Sequence, residues 1–285
     1  MRGGSCGFTL GIGFLLFVQA GMAKPVLVEL FTSSPNCRNC RTAETALIQL
    51  QARYADDPVQ FIVYHVGDSQ EITSGFLRYK FYGLTNRPLP NAVFNGTTRV
   101  DGADSRTVLT YQSIVDNQLR QPTPGALSSW VQKDASPWIT AATFSLSATI
   151  NPVNLQLFCA VTERLSDSEP AAFRSIQSVT SLASPPSVEW ITTTVEASSP
   201  DLPLQVIWFI QEVMPNRDQG TVLLTSPALP LPPQDLNRDG HINHQDLFLL
   251  SALWGTDRLS ADFNQDSQID SQDLLYLMHL FHFFP

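Results

Sequence analysis

From Gln234 to Pro285 the sequence repeats itself with a period of 27 residues. Asp235, Asn237, Asp239, Ile242 and Asp246 recur as Asp262, Asn264, Asp266, Ile269 and Asp273. The apolar run Leu247-Phe248-Leu249-Leu250 recurs as Leu274-Leu275-Tyr276-Leu277. Polar spacing and apolar run agree together, which marks a duplicated loop–helix unit. The stretch holds eight Asp, no Glu and two Arg, so about a fifth of the chain carries −6 of its −9 net charge. Acid confined to Asp in this pattern points to a cation site before a solvated face. The same acidic balance argues against nucleic acid as a partner.

The spacing suits calcium, which takes six to eight oxygen ligands at flexible geometry, supplied in an EF-hand loop from positions 1, 3, 5, 7, 9 and 12. In the first loop these positions are Asp235, Asn237, Asp239, the carbonyl of His241, Asn243 (through a water) and Asp246, with Gly240 at the sharp turn. In the second they are Asp262, Asn264, Asp266, the carbonyl of Gln268, Asp270 and Asp273, with Ser267 in place of the turn glycine. The bland alternative is a pair of Asx-rich turns without metal.

Position 12 is Asp in both loops, where ordinary EF-hands use Glu. The pattern D-x-N-x-D-G-x-I-N-x-x-D-L, repeated once with a helix after each loop, resembles the dockerin type I family over nearly the whole stretch. The resemblance implies two calcium ions and docking onto a cohesin-like domain. Dockerins place much of their recognition at loop positions 10 and 11, here His244-Gln245 and Ser271-Gln272.

The other end reads as an export signal. Met1-Arg2 precedes an apolar run from Phe8 to Val18, and Val18-Gln19-Ala20 or Gly21-Met22-Ala23 supplies a small-x-small cleavage site. The run is short for a membrane span, and no later segment approaches the ~20 apolar residues that a span needs. A buried N-terminal helix is the alternative. A secreted location follows, extracellular or in a cell-surface assembly of a bacterium, with the periplasm as the other choice, and no membrane span after cleavage.

Residues 24–121 read β-α-β-α-β-β-α. Pro25–Phe31 and Val59–Val66 are buried strand runs. Ala43, Ala46, Leu47 and Leu50 recur at helical spacing, and Asn95-Gly96 is a hairpin turn. Cys37-Arg38-Asn39-Cys40 opens the first helix. A sulfur at a helix N-terminus, with Arg38 beside it, is favoured as thiolate, and a second cysteine one turn on can resolve a mixed disulfide. This order, with C-x-x-C at the first strand-to-helix junction, resembles the thioredoxin fold, and Val28-Glu29-Leu30-Phe31-Thr32-Ser33 leading into it resembles the Omp28-related group. The resemblance implies a thiol–disulfide oxidoreductase acting on a protein thiol or disulfide, with Cys37 attacking, Cys40 resolving, Pro90 as the cis-proline and Glu29 as the buried acid. Zinc needs four ligands, and no second C-x-x-C exists. A structural disulfide is the stronger competing reading. Cys159, in an apolar strand run, reads as a buried small hydrophobe, and His65 as a hydrogen-bonded core residue.

Residues 122–230 show short alternating runs at 142–150, 155–162, 188–195, 204–210 and 221–225, punctuated by Pro, Ser and Asp, as in a small Ig-like β-sandwich. Here Trp208-Phe209-Ile210-Gln211-Glu212 resembles the late strand of the β domain that follows thioredoxin in Omp28-like proteins. Leu229-Pro230-Leu231-Pro232-Pro233 reads as a stiff link. The expected class is α+β multidomain: signal peptide 1–23, thioredoxin-like α/β domain 24–121, β-sandwich 122–230, and a small α-helical tandem EF-hand (dockerin) module 231–285. The alternative to an oxidoreductase is a non-catalytic binding or scaffold component of an extracellular, polysaccharide-degrading assembly.

Overall fold

The computed structural model describes residues 23–33, 36–132, 138–147, 150, 154–163, 172–182, 191–195, 204–213, 220–227, 229–230, 234–236, 242–256, 261–263 and 268–280. The expected signal peptide lies outside them, except for Ala23. Among these residues the chain is mixed α/β, with two sheets and five helices. No helix of the described residues is long and apolar enough to cross a membrane.

The first strand, β1 (Val26–Thr32), is buried along its whole length. It pairs in parallel with β2 (Val59–His65) and antiparallel with β3 (Asn91–Phe94), which pairs with β4 (Thr98–Asp101). Asn95 and Gly96, both at positive φ, make the tight turn between β3 and β4. A side chain at Gly96 would meet the carbonyl oxygen of Gly220 at 1.9 Å, so only glycine allows that approach.

Because side chains alternate across a strand, the two faces of β1 have different neighbours. Val26, Val28 and Leu30 share a core with Ala43, Ala46, Leu47 and Leu50 of α1 (Arg38–Arg53) and with Tyr111 and Val115 of α3 (Thr107–Leu119). Leu27 and Phe31 face the other way, toward Tyr79 of α2 (Thr73–Phe81) and the following Tyr82.

The strands after Gln121 are β5 (Gly125–Gln132), β6 (Trp138–Leu146), β7 (Leu155–Glu163), β8 (Ala172–Leu182), β9 (Ile191–Val195), β10 (Leu204–Glu212), β11 (Val222–Pro227) and the short β12 (Leu229–Pro230). β5 and β8 fall in stretches where the sequence shows no clear run, because serines and other polar residues thin the apolar alternation. β6 begins four residues earlier than the apolar run at 142–150 suggests.

Two sheets result, ordered β11-β10-β7-β8-β2-β1-β3-β4 and β12-β5-β6-β9. Val131, Trp138, Ala142 and Phe144 of the smaller sheet share a core with Leu157, Val161, Val206, Trp208 and Ile210 of the larger one. Trp208 Nε1–H donates to Thr140 Oγ1 at 2.9 Å across this core. Cys159 is buried there, outside any disulfide.

The larger sheet crosses the sequence boundary near Pro122. β8 pairs with β2 at Ala172 and Val63. Ala160, Ile207, Phe209 and Val222 pack with Leu27, Phe31, Ile62 and Tyr64 in one core. The two segments are thus joined by buried apolar surface as well as by chain. The expected link also shortens: Leu229 and Pro230 pair in parallel with Trp130 and Val131, so the link's first two residues belong to the sheet.

α4 (His244–Leu253) and α5 (Ser271–Leu280) each follow one copy of the repeat. Their core mirrors the 27-residue period: buried Ile242 and Leu250 are matched by Ile269 and Leu277, and Leu236, Leu247 by Phe263, Leu274.

Candidate functional site

Cys37 is the N-cap of α1, with Cys40 at its first turn. The two are disulfide-bonded, and the Cys40 backbone N–H points at Cys37 Sγ, 3.2 Å away. Cys37 is half-buried and Cys40 fully buried. The two cysteines therefore differ in exposure, the first being the more accessible residue.

Strand register places the surroundings. Thr32 ends β1 and pairs with His65 of β2. Phe31 pairs with Asn91 of β3, so Pro90 stands level with Thr32. The Leu89–Pro90 peptide bond is cis. Cys37, Thr32, His65 and Pro90 therefore belong to the same end of the sheet, the carboxyl edge of its parallel pair. His65 Nδ1 lies 2.9 Å from Asp68 Oδ2.

Glu29 lies elsewhere. It is three residues back along β1, ~10 Å from Thr32 along the strand. It also points to the face opposite α1, among α2 and β10. Arg78 Nε–H and Nη2–H donate to its two oxygens at 2.8 and 2.9 Å. The hydroxyls of Tyr64 and Tyr82 donate to the same oxygens at 2.7 and 2.5 Å. Arg78 also donates to Gln211 Oε1 at 2.6 Å, which ties β10 into the knot. Burial pushes the Tyr64 and Tyr82 hydroxyls well above their ordinary ionisation range, and the Glu29 carboxylate adds to that push. Every lone pair available to Glu29 in the plane is engaged, so the side chain is a structural anchor between the two segments. The sequence signal for this was present in Arg78, a cation inside an otherwise apolar helix face.

The acid closest in sequence to the cysteines on the correct face is Glu44, which the spacing argument missed. Its Oε1 accepts a 2.6 Å hydrogen bond from Thr32 Oγ1.

The repeat module builds a second site. Asp246 and Asp273, at position 12 of each loop, are fully buried. Asp246 accepts the N–H of Leu236 and of Asn243, each at 2.8 Å; Asp273 accepts those of Phe263 and Asp270 at 2.6 and 2.9 Å. Asp235, at position 1, is also buried. Asn243 caps α4 in a capping box with Asp246. The two copies therefore have equivalent hydrogen bonding at their closing residues. Asp262, Gln268 and Asp270 fall among the described residues; Asn237, Asp239, Gly240, His241, Asn264, Asp266 and Ser267 lie outside them. Hard-oxygen donors at the start and end of each loop, Asp235, Asp246 and Asp273 buried and Asp262 half-buried, fit calcium.

Residues 233–281 match the dockerin type I domain. This module is dockerin-like in family, not only in spacing. Dockerin type I domains bind calcium, typically two ions, through EF-hand-like loops, and they bind cohesin domains. Proteins that carry a dockerin are typically extracellular or at the cell surface. No curated protein matches this sequence. Among solved structures, the chain is similar to HBP35 of Porphyromonas gingivalis, at 14% identity and TM-score 0.55, over 73% of this chain and 77% of that one. It also matches a structural-genomics protein from Agrobacterium tumefaciens, at 20% identity and TM-score 0.49, over 73% of this chain and 95% of that one. At these identities the likeness to HBP35 speaks to fold alone.

Proposed function

We propose that this chain is an exported thiol–disulfide exchange protein of the thioredoxin-like, Omp28-related kind, anchored by its dockerin to a cohesin-bearing assembly. The C-x-x-C at the head of α1 is the chemical site. The cis-Pro90 loop flanks it, and the strands after Gln121 form an Ig-like β-sandwich whose larger sheet runs on into the thioredoxin-like strands through β8 and β2. The observation that carries the exchange reading is the pairing of a half-buried sulfur at a helix start with a fully buried one a turn later. The first can attack, favoured as thiolate by the helix N-terminus, and the second can resolve.

In the dockerin, calcium would be held by Asp235, Asn237, Asp239, the His241 carbonyl, Asn243 and Asp246, and by Asp262, Asn264, Asp266, the Gln268 carbonyl, Asp270 and Asp273. Bound there, it would supply positive charge to offset the gathered carboxylates. The cohesin-facing surface is the exposed side of α4 and α5. Phe248 and Leu275 stand there at equivalent positions of the repeat, 73% and 67% exposed, beside His244-Gln245 and Ser271-Gln272. Two exposed apolar side chains at matched positions suit docking better than solvation.

The test has two arms. Insulin reduction by the full chain should be abolished by Cys37→Ser, and capture on immobilised cohesin domains should be lost in chelator. Capture without insulin reduction or disulfide refolding would leave the chain a non-catalytic scaffold component.

A further inference from the structure

A fully buried Cys40 thiol is a poor nucleophile until something takes its proton, because burial in apolar surroundings disfavours the thiolate. Glu29 cannot serve, since it faces away from α1 and is held by Arg78. Glu44 is placed to serve on three counts. It is four residues after Cys40, so the two share one face of α1. Helical side chains lean toward the N-terminus, which carries the Glu44 carboxylate over the turn that holds Cys40. And Thr32, buried at the end of β1 on the α1 side, fixes it by the 2.6 Å hydrogen bond to Oε1, at the edge where the chain leaves β1 for Cys37. That bond occupies one carboxylate oxygen and leaves the other for a proton.

We propose that Glu44, positioned by Thr32, is the proton acceptor for Cys40 during resolution of the mixed disulfide, a role that rests on the exchange reading above. In that step the Cys40 S–H bond breaks and its proton passes to Glu44. The Cys40–Cys37 S–S bond forms while the bond between Cys37 and the substrate sulfur breaks. Two electrons of the protein dithiol end on the substrate, whose thiolate leaves and takes up a proton. In the oxidising direction the same proton returns to Cys40. Other ionisable groups near this edge include Arg38 and Arg41 in the first turn of α1 and His65 on β2, whose Nδ1 is bound to Asp68. His65 is the rival acceptor.

Stopped-flow reaction of the reduced protein with the aromatic disulfide 5,5′-dithiobis(2-nitrobenzoate), in a Cys6→Ser, Cys159→Ala background, separates the steps. The first coloured thiol reports attack by Cys37, and the second reports resolution by Cys40. Glu44→Gln should leave the first phase unchanged and slow the second by about 10²-fold, the scale of one general base. Glu44→Asp should restore part of the rate, and Thr32→Val should slow it less than Glu44→Gln does. An unchanged second phase in Glu44→Gln, or the loss appearing in His65→Gln instead, would overturn the assignment of Glu44 alone. A wild-type protein that releases only one thiol would overturn the exchange reading and this role with it. Matching circular dichroism of each variant excludes misfolding as the cause.

Discussion

Glu29 and Asp246 are both carboxylates without solvent exposure, yet they are neutralised in different ways. Glu29 meets a guanidinium in fork geometry, two tyrosine hydroxyls and, through Arg78, the amide of Gln211. The rings of Tyr82 and Phe209 lie 4.7 and 5.1 Å from the Arg78 guanidinium carbon. The knot brings its own cation and is complete within the fold. Asp246 takes backbone N–H groups from Leu236 and Asn243, in a stretch with eight Asp against two Arg. That excess leaves most of the compensating positive charge of the stretch to come from outside. One region is built to be stable alone, the other to be stable when loaded.

The difference is sharpest where each knot is cut. Arg78→Met strands the Glu29 charge in an apolar interior, and should cost about 3–5 kcal/mol in urea denaturation of the larger sheet. Adding Glu29→Gln should recover part of that loss, since the stranded charge goes with it. A loss under about 1 kcal/mol would mean that the pair is not what joins the two segments. By contrast, Phe248→Ser with Leu275→Ser removes exposed groups only. It should shift stability by no more than ~0.5 kcal/mol, while weakening cohesin capture by about tenfold or more. A stability change as large as that of Arg78→Met would show these side chains to be core rather than docking surface.

The same contrast explains what the sequence disclosed. The dockerin was legible because its chemistry is local: ligands within a dozen residues, printed twice at a fixed period. The first β-α-β unit and the Asn95-Gly96 turn were legible for the same reason. Other features depend on residues far apart in the chain. Arg78 meets Gln211 across 133 positions, and Thr32 finds Glu44 by the fold of a loop. Glu29 could be read as buried, but its strand face depended on which helix packs where. That β8 would join β2, and so merge two segments into one sheet, has no signature in either strand. Leu229 and Pro230 carry the composition of a link and serve as sheet because β5 offers them an edge.

On this comparison calcium should order the repeat module and leave the larger sheet untouched. Among the described residues the module's core is Ile242, Leu250, Ala261, Ile269 and Leu277 with their partly buried neighbours; a module of about fifty residues needs a staple, and metal-binding energy is folding energy there. Amide hydrogen exchange on the full chain, with calcium and then with excess chelator, measures this directly. Protection should collapse across 242–253 and 268–280 in chelator, while amides of β1, β2 and β10 exchange at the same slow rate in both. Protection of α4 and α5 that survives chelation, or protection of β1 that falls with it, would contradict the account.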